Sequence, residues 1–310
     1  MAATNTIKPA KIPAKRKKKL SAGDITFNAI NITVFTLFAI ICVLPFYYLF
    51  INTISNNELV GKNMITLIPQ GIHFSNYLAL KDVPDFGQSV LITVSRTIIG
   101  TSLMVLCSAF AGFLTTRREM WKRSLWYRML VITMYFNAGM IPWYMNMLGL
   151  GLTDNYLGYI LPCIVSPYNI ILVKTYVESI PAELIESAKV DGAGAMQIFI
   201  HIVLPLAKPI LATIAVFGAV DNWNALQDSL ILMSNSPELY TMQHRLYIYL
   251  NSASNLAASM QSGGAVTSGM LNSKVIKYTI SMVTVLPIVL VYPFMQRYFE
   301  EGIMLGAVKG

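Results

Sequence analysis

The ionisable side chains of this chain cluster in a pattern suited to docking, not to bond making. Between 174 and 201 stand Glu178, Glu183, Glu186, Lys189 and Asp191, so this stretch holds four of the fifteen acidic residues. Pro181 suits a first helical position, Glu183 suits the first turn and Asp191-Gly192 supplies a stop; the spacing predicts a helix over 181–190 and a second helix starting near Ala193. Two short helices joined by a glycine make a rigid protrusion with a charged face. Catalysis finds no comparable set. There is no G-x-x-x-x-G-K-[ST] phosphate loop, no H-E-x-x-H zinc helix and no G-x-S-x-G nucleophile elbow. His73, His201 and His244 fall in separate segments, and neither a catalytic residue nor a metal site is expected.

A second group could hold a polyhydroxylated solute. Sugars pack their apolar faces on aromatic rings and hydrogen-bond to amides, which makes Tyr47, Tyr48, Trp143, Tyr144, Tyr168, Asn169, Trp223 and Asn224 candidates for a pathway or gate. The bland alternative is packing or an interfacial belt. Arg96 sits in an apolar run, where a charge is costly unless paired or hydrated. It reads equally as a contact to a partner permease or the solute pathway and as a structural ion pair or a snorkelling side chain. Arg128 and Arg297, near the ends of apolar runs, read as snorkelling side chains.

Composition indicates the framework that holds these residues. Of 310 residues 55% are hydrophobic and 12% charged, and the mean hydropathy is +0.56. Soluble domains carry about 25% charged residues, so the chain is expected to be a membrane protein. Six stretches have the roughly 20 apolar residues of a spanning helix: 27–51, 89–114, 124–148, 155–173, 202–220 and 278–299. Together they contain four charges, Arg96, Arg128, Lys208 and Arg297. Lysine and arginine are retained on the cytoplasmic side. The segments 1–26, 115–123, 174–201 and 300–310 carry 14 of them and the alternate segments carry 5, which places both termini in the cytoplasm. The run from Lys15 to Lys19 is then a topology anchor at an anionic lipid surface in preference to a nucleic-acid site. The first apolar run is too long for a signal-peptide core and lacks a cleavage site. Cys42, Cys107 and Cys163 lie in apolar runs and read as small hydrophobes. The Ser-, Asn- and Gly-rich stretch 251–273 reads as an exposed loop within 221–277. The organisation expected is a basic tail (1–26), a six-helix transmembrane domain (27–299) with a cytoplasmic loop at 174–201, and a C-terminal tail (300–310).

Within that loop, Glu186-Ser187-Ala188, three further residues, Gly192-Ala193, and then Ile202 with Leu204-Pro205 after the required nine-residue gap resemble the EAA loop of ABC importer permeases. Ser187 replaces the usual alanine, small for small. Phe217, Trp223 and Asn224 are similar to the aromatic-Trp-Asn signature of carbohydrate-uptake, maltose-type permeases. Pro69, Phe74, Asn76 and Tyr77 resemble a pattern of the same class with a longer Pro–Phe spacing, and Gly306-Ala307-Val308-Lys309-Gly310 resembles the ending of its G-type subunit.

The resemblance implies a type I importer permease fold: an all-α, six-span inner-membrane chain that is not itself an enzyme. It implies a homologous second permease, two ATPase subunits that hold ATP and Mg, an extracytoplasmic binding protein and an oligosaccharide solute. Glu186, Ser187, Ala188, Asp191, Gly192, Ala193, Ile202, Leu204 and Pro205 would couple to the ATPase, and Gly306, Val308, Lys309 and Gly310 would reach its dimer interface. The same machinery for a polyol, glycerol phosphate or uronate oligomer remains an alternative. A secondary transporter is disfavoured by the lack of acidic residues within the spans.

Overall fold

The computed structural model describes residues 22–82, 85–261 and 268–307, with side chains placed over 23–81, 85–251 and 274–293. The chain divides into two compact units, 1–48 and 49–310. The first contains most of α1 (Ala22–Ile54), which passes through Pro45 without ending. Beyond Thr36 its side chains are apolar on every side up to the tyrosines at 47 and 48. Phe27, Ile32, Phe35, Phe38 and Ile41 are all more than half exposed, the pattern of a helix solvated by lipid or by another chain. The tail up to residue 21 lies outside the described residues.

The second unit opens with the end of α1 and two short helices, α2 (Asn57–Gly61) and α3 (Ser75–Ala79). Asn76 Nδ2 donates to the Thr53 carbonyl at 2.8 Å, and the Tyr77 hydroxyl meets Thr53 Oγ1 at 2.8 Å. Asn76 and Tyr77 thus close the loop onto the last turn of α1.

The spine is α4 (Phe86–Thr116), against which α8 (Pro167–Val177) and α12 (Lys208–Asn224) pack along their lengths. Gly100, Ser108 and Gly112 lie at four-residue steps along one face of α4, the small-residue spacing that lets membrane helices approach closely, and Met104 between them reaches across to Gly218 of α12. A Cβ on Gly112 would stand 2.7 Å from Val173 Cγ1 of α8, and one on Gly218 of α12 would overlap Met104 Cε.

Two expected spans are bent. The fourth runs as α7 (Leu157–Ile160), a 3-10 turn (Leu161–Cys163) and then α8, with a 42° change of direction. Pro162 and Pro167 interrupt the hydrogen-bond ladder, and Ser166 caps α8 by accepting from the Asn169 N–H. The fifth runs as α10 (Ala195–Ile198), a π-helical turn (Phe199–Val203) and α11 (Leu204–Leu206), and bends by 77° at Ala207 into α12. Pro205 and Pro209 remove the amide donors that would carry a straight helix through this point.

Two expectations are corrected. The stretch 124–148 is two helices, α5 (Arg123–Tyr135) and α6 (Met140–Gly149). Asn137 Oδ1 accepts from the Gly139 N–H at 2.8 Å and Gly139 takes φ +90°, an Asx-type turn that wins over the apolar run. The stretch 251–273 is not a loop over its described part. Residues 251–261 end α14 (Met242–Gln261), and α15 (Ser268–Ala307) starts at 268. Alanine and leucine in the sequence NLAASMQ supply helix propensity that its serines do not cancel. Among the described residues, three helices are long and apolar enough to cross a membrane, Gly23–Ile54, Phe86–Thr116 and Lys274–Pro293, or five if each bent pair is one span.

The chain resolves the problem of Arg96 internally. Its side chain has no solvent exposure, and its two terminal nitrogens reach Asp228 at 2.5 and 3.3 Å in a bidentate pair. Asp228 belongs to α13 (Gln227–Leu232), so this short helix is pinned to the spine. The guanidinium also lies 4.4 Å over the Tyr159 ring.

Removing one partner of such a pair strands a buried charge, at about 3–5 kcal/mol. Asp228→Asn is therefore expected to lower the melting temperature of the detergent-solubilised protein sharply, and Arg96→Met with Asp228→Leu to recover most of the loss. Gly112→Leu is expected to destabilise by about 1–3 kcal/mol through overpacking, with Gly112→Ala milder, read by the same melts.

Candidate functional site

The protrusion expected over 174–201 is present. Its first helix, α9, is Ala182–Val190, with Pro181 as the N-cap and not the first helical residue. Gly192 takes φ +83°, a left-handed turn that a side chain would strain. The second helix starts at Ala195 behind Gly194, two residues later than expected.

One face of α9 is held by the core. Ile185 and Ala188, with Ala193 and Leu204, pack against a cluster of Ala109, Phe113, Val173, Ile198, Phe199 and Val203. The other face is free of the core: Glu186, Ser187 and Asp191 are exposed. Val190 is 88% exposed, an apolar side chain at the tip of a charged protrusion. Of the remaining residues in the pattern, Ile202 is half-buried and Pro205 exposed. A cavity of about 350 Å³ lies beneath the turn, lined by Asp191, Gly192, Gln197 and His201 among others.

An ion pair braces the protrusion. Lys189 Nζ donates to Glu119 Oε1 at 2.7 Å, and Arg117 stands 3.5 Å from the same carboxylate. The Lys189 hydrogen bond holds Glu119 down at about 2, with its own backbone amide and the charge of Arg117 adding to the effect. Both partners are about half exposed, so the pair is worth under about 1 kcal/mol; its importance is positional. It ties α9 to the loop between α4 and α5. Glu119 was not a sequence candidate, because nothing in a loop rich in arginine and lysine marks its one acid as a brace.

The solute candidates are not gathered in one place. Trp143 and Tyr144 pack against a cluster of Ile92, Met147, Leu152, Tyr159, Leu232 and Met233. Trp143 also lines a cavity of about 670 Å³ with Asn137, Gln227 and Asp228. Asn169 is buried and lines a different cavity, of about 360 Å³, with Arg96, Asp221 and Asn222. Trp223 Nε1 donates to the Thr284 carbonyl at 2.9 Å, which anchors α12 to α15. Asn224 Oδ1 accepts from Gln243 at 3.2 Å. Tyr168 is more than half exposed. Tyr47 and Tyr48 belong to the first unit. Gly306 falls in the last turn of α15, and Val308, Lys309 and Gly310 lie outside the described residues.

The two cavities meet at the Arg96–Asp228 pair, Asp228 lining one and Arg96 the other. Around the pair, the Tyr159 hydroxyl donates to the Leu239 carbonyl and lies 2.8 Å from Ser229 Oγ, which meets His244 Nδ1 at 2.9 Å. Burial, then the charge of Arg245, pushes His244 down to about 4, so it is neutral near pH 7. Asp228, Asn222 and Tyr159 were not sequence candidates. The signal was present for the first: a charge within a span requires an opposite charge at the same depth, and Asp221 and Asp228 are the acids nearest the end of the fifth span.

A family model for the binding-protein-dependent transport system inner membrane component matches residues 17–304. The chain is 33% identical over 276 residues to the polygalacturonan/rhamnogalacturonan transport system permease protein YtcP of Bacillus subtilis, covering 88% of this chain and 95% of that one. It is 30% identical to Protein LplC of the same organism, covering 93% and 96%. A crystal structure of a bacterial ABC transporter involved in the import of the acidic polysaccharide alginate superposes with a TM-score of 0.80 at 29% identity, over 91% of this chain and all of that one. With the match running through nearly its whole length, the chain belongs to the family of binding-protein-dependent transport system inner membrane components, the permeases of ABC importers.

Proposed function

We propose that this permease carries an oligosaccharide across the bacterial cytoplasmic membrane by alternating access. It would act with a homologous second permease, two ATPase subunits that bind ATP and Mg, and an extracytoplasmic binding protein. Both termini and the protrusion would face the cytoplasm, with six spans counted from α1, α4, the broken pair α5 and α6, the two bent pairs and α15. The observation that carries the reading is a rigid protrusion, packed by Ile185 and Ala188, braced by Lys189 and Glu119, and presenting Glu186 and Val190 outward. A lever must be stiff on its own side and reactive on the other. Glu186 would meet a basic residue of the ATPase, and Val190 would enter an apolar groove. The sugar assignment draws on YtcP, named for polygalacturonan and rhamnogalacturonan, and on the alginate importer; the acidic polysaccharide of the latter supports a uronate oligomer as the second reading. The tail at Gly306, Val308, Lys309 and Gly310 would touch the ATPase dimer.

Copurification with the genomic neighbours tests the assembly. Glu186→Ala and Val190→Asp are each expected to lower ATPase recovery in the complex, or to cut binding-protein-stimulated hydrolysis about tenfold, the effect of about 1.4 kcal/mol of lost contact. An unchanged complex and unchanged stimulation would overturn the role of the protrusion. Glu119→Gln and Lys189→Met are expected to reduce stimulation while leaving assembly and melting temperature nearly intact. Because the Glu119 acid is held below its ordinary 4.5, the pair contributes fully above pH 4.5 and fades as pH falls toward 2. The difference between wild type and Glu119→Gln should therefore be the same at pH 7 and pH 6.

A further inference from the structure

We propose that residues 63–80, in the connection from α2 to α4, form an interfacial anchor whose exposed apolar side chains enter the headgroup–acyl boundary of the bilayer. The partner is the lipid surface itself. The proposal rests on the family assignment and on the membrane spans, and it needs neither the solute nor the coupling reading.

The composition of this segment is unusual for a connection between two spans. From Asn63 to Leu80 it holds no Asp, Glu, Lys or Arg, and Lys62 and Lys81 bound it. Met64, Ile68, Ile72, Phe74 and Leu78 are each more than half exposed, Ile68 by 73%. A single exposed isoleucine is ordinary, whereas several large apolar side chains in one short stretch without charge mark a membrane or protein contact.

These side chains are not core residues awaiting a place. Ile65, and Val60 just before the segment, are 1% exposed, so the inward positions are already filled. The backbone is closed onto the last turn of α1: the Asn56 N–H donates to the Gln70 carbonyl and the His73 N–H to the Ile54 carbonyl, both at 2.8 Å. Gly71, at φ +65°, permits this approach, since a Cβ there would stand 3.0 Å from that of Asn56. The loop therefore holds its apolar residues outward.

Two contacts set the depth at which it does so. Lys274 Nζ donates to Asn63 Oδ1, and Lys274 opens the apolar stretch Lys274–Pro293 that is long enough to cross a membrane. At the other end of the segment, Asn76 bonds the Thr53 carbonyl, one residue before the apolar stretch Gly23–Ile54 ends. Both ends thus lie level with the point where a span leaves the hydrocarbon. Lys62 and Lys81 flank the apolar residues as cations suited to lipid phosphates. A soluble binding protein is a poorer occupant, because a face that it leaves between encounters must be wetted, and this one carries no charge for water.

Spin labels read the depth directly. The importer is reconstituted in nanodiscs of phosphatidylethanolamine and phosphatidylglycerol, with Cys42, Cys107 and Cys163 replaced by serine and the partner chains free of cysteine. A nitroxide is attached at Ile68→Cys or Ile72→Cys and, as an aqueous reference, at Glu238→Cys, an exposed position in the 3-10 turn Pro237–Leu239. Collisions with oxygen, which concentrates in lipid, are compared with collisions with a water-soluble nickel chelate. The ratio of oxygen to nickel collisions is expected to be about tenfold higher at 68 and 72 than at 238, an exclusion of about 1.4 kcal/mol, and to stay unchanged when saturating binding protein is added. A ratio equal to the reference would mean that the loop stands in water, and would overturn the anchor. Few collisions with either reagent would mean that a partner chain covers the loop, and nickel access lost only on adding binding protein would make that protein the occupant; each would overturn the anchor as well. The measurement uses neither sugar nor ATP, so its failure is distinct from failure of the transport reading.

Discussion

The interior of this chain is organised by one charge. A guanidinium about a third of the way along an apolar helix is costly to leave to lipid, and Arg96 is wholly buried within the protein. It is paired, and the pairing dictates the arrangement of the segments around it. To bring Asp228 to that depth the chain must turn back after α12, which makes α13. Tyr159 must lie flat beneath the guanidinium, which places its hydroxyl beside Ser229, and Ser229 in turn meets His244 at the start of α14. Four segments distant in sequence are therefore fixed by one electrostatic requirement. The same requirement leaves Arg96 Nε over, because a carboxylate can satisfy the two terminal nitrogens and no more.

The broken helices answer a second constraint. Backbone polar groups at membrane depth must find partners within the protein, yet the two bent helix pairs contain prolines that remove donors. The chain places each break where something else takes over: Ser166 caps α8, and a π-helical turn absorbs the residues before Pro205. The 77° bend at Ala207 also separates the part of the fifth span that leads from the protrusion from the part that reaches the cavities.

How much of this was legible in the sequence depended on range. The protrusion was legible because its signals are local: Pro181, Glu183 and Asp191-Gly192 lie within one short stretch, and the helix formed within a residue of expectation. The long spans were legible because apolar runs of their length have one common use. The third expected span was not, because an Asx turn at Asn137 outweighs hydropathy and hydropathy does not record turns. The region 251–273 misled for the opposite reason, since small polar residues suit a loop but do not forbid a helix that gains packing elsewhere. The solute candidates do not gather in one place, and aromatic rings mark packing and binding alike: Trp223 ties α12 to α15, whereas Asn222, one residue earlier, turns back onto its own helix. Sequence cannot separate them, because the difference is which way each side chain faces on α12.

The protrusion and the cavity are built on the same pair of helices. Phe113 and Ala109 of α4 support the cluster on which α9 rests, while Arg96 and Met104, further back on the same helix, wall the cavity. On α12, Ile210 and Ile214 join that supporting cluster, and Gly218, Asp221 and Asn222 face the cavity. The two helices pack together where Gly100 meets Asn222 and Gly218 meets Met104, leaving a Cβ little or no room at either glycine. On the coupling role proposed for α9, such packing would pass a displacement to α4 and α12 together. Close packing through small residues would in this sense serve the proposed coupling as much as stability, because it would carry a contact made at the protrusion into both helices at once.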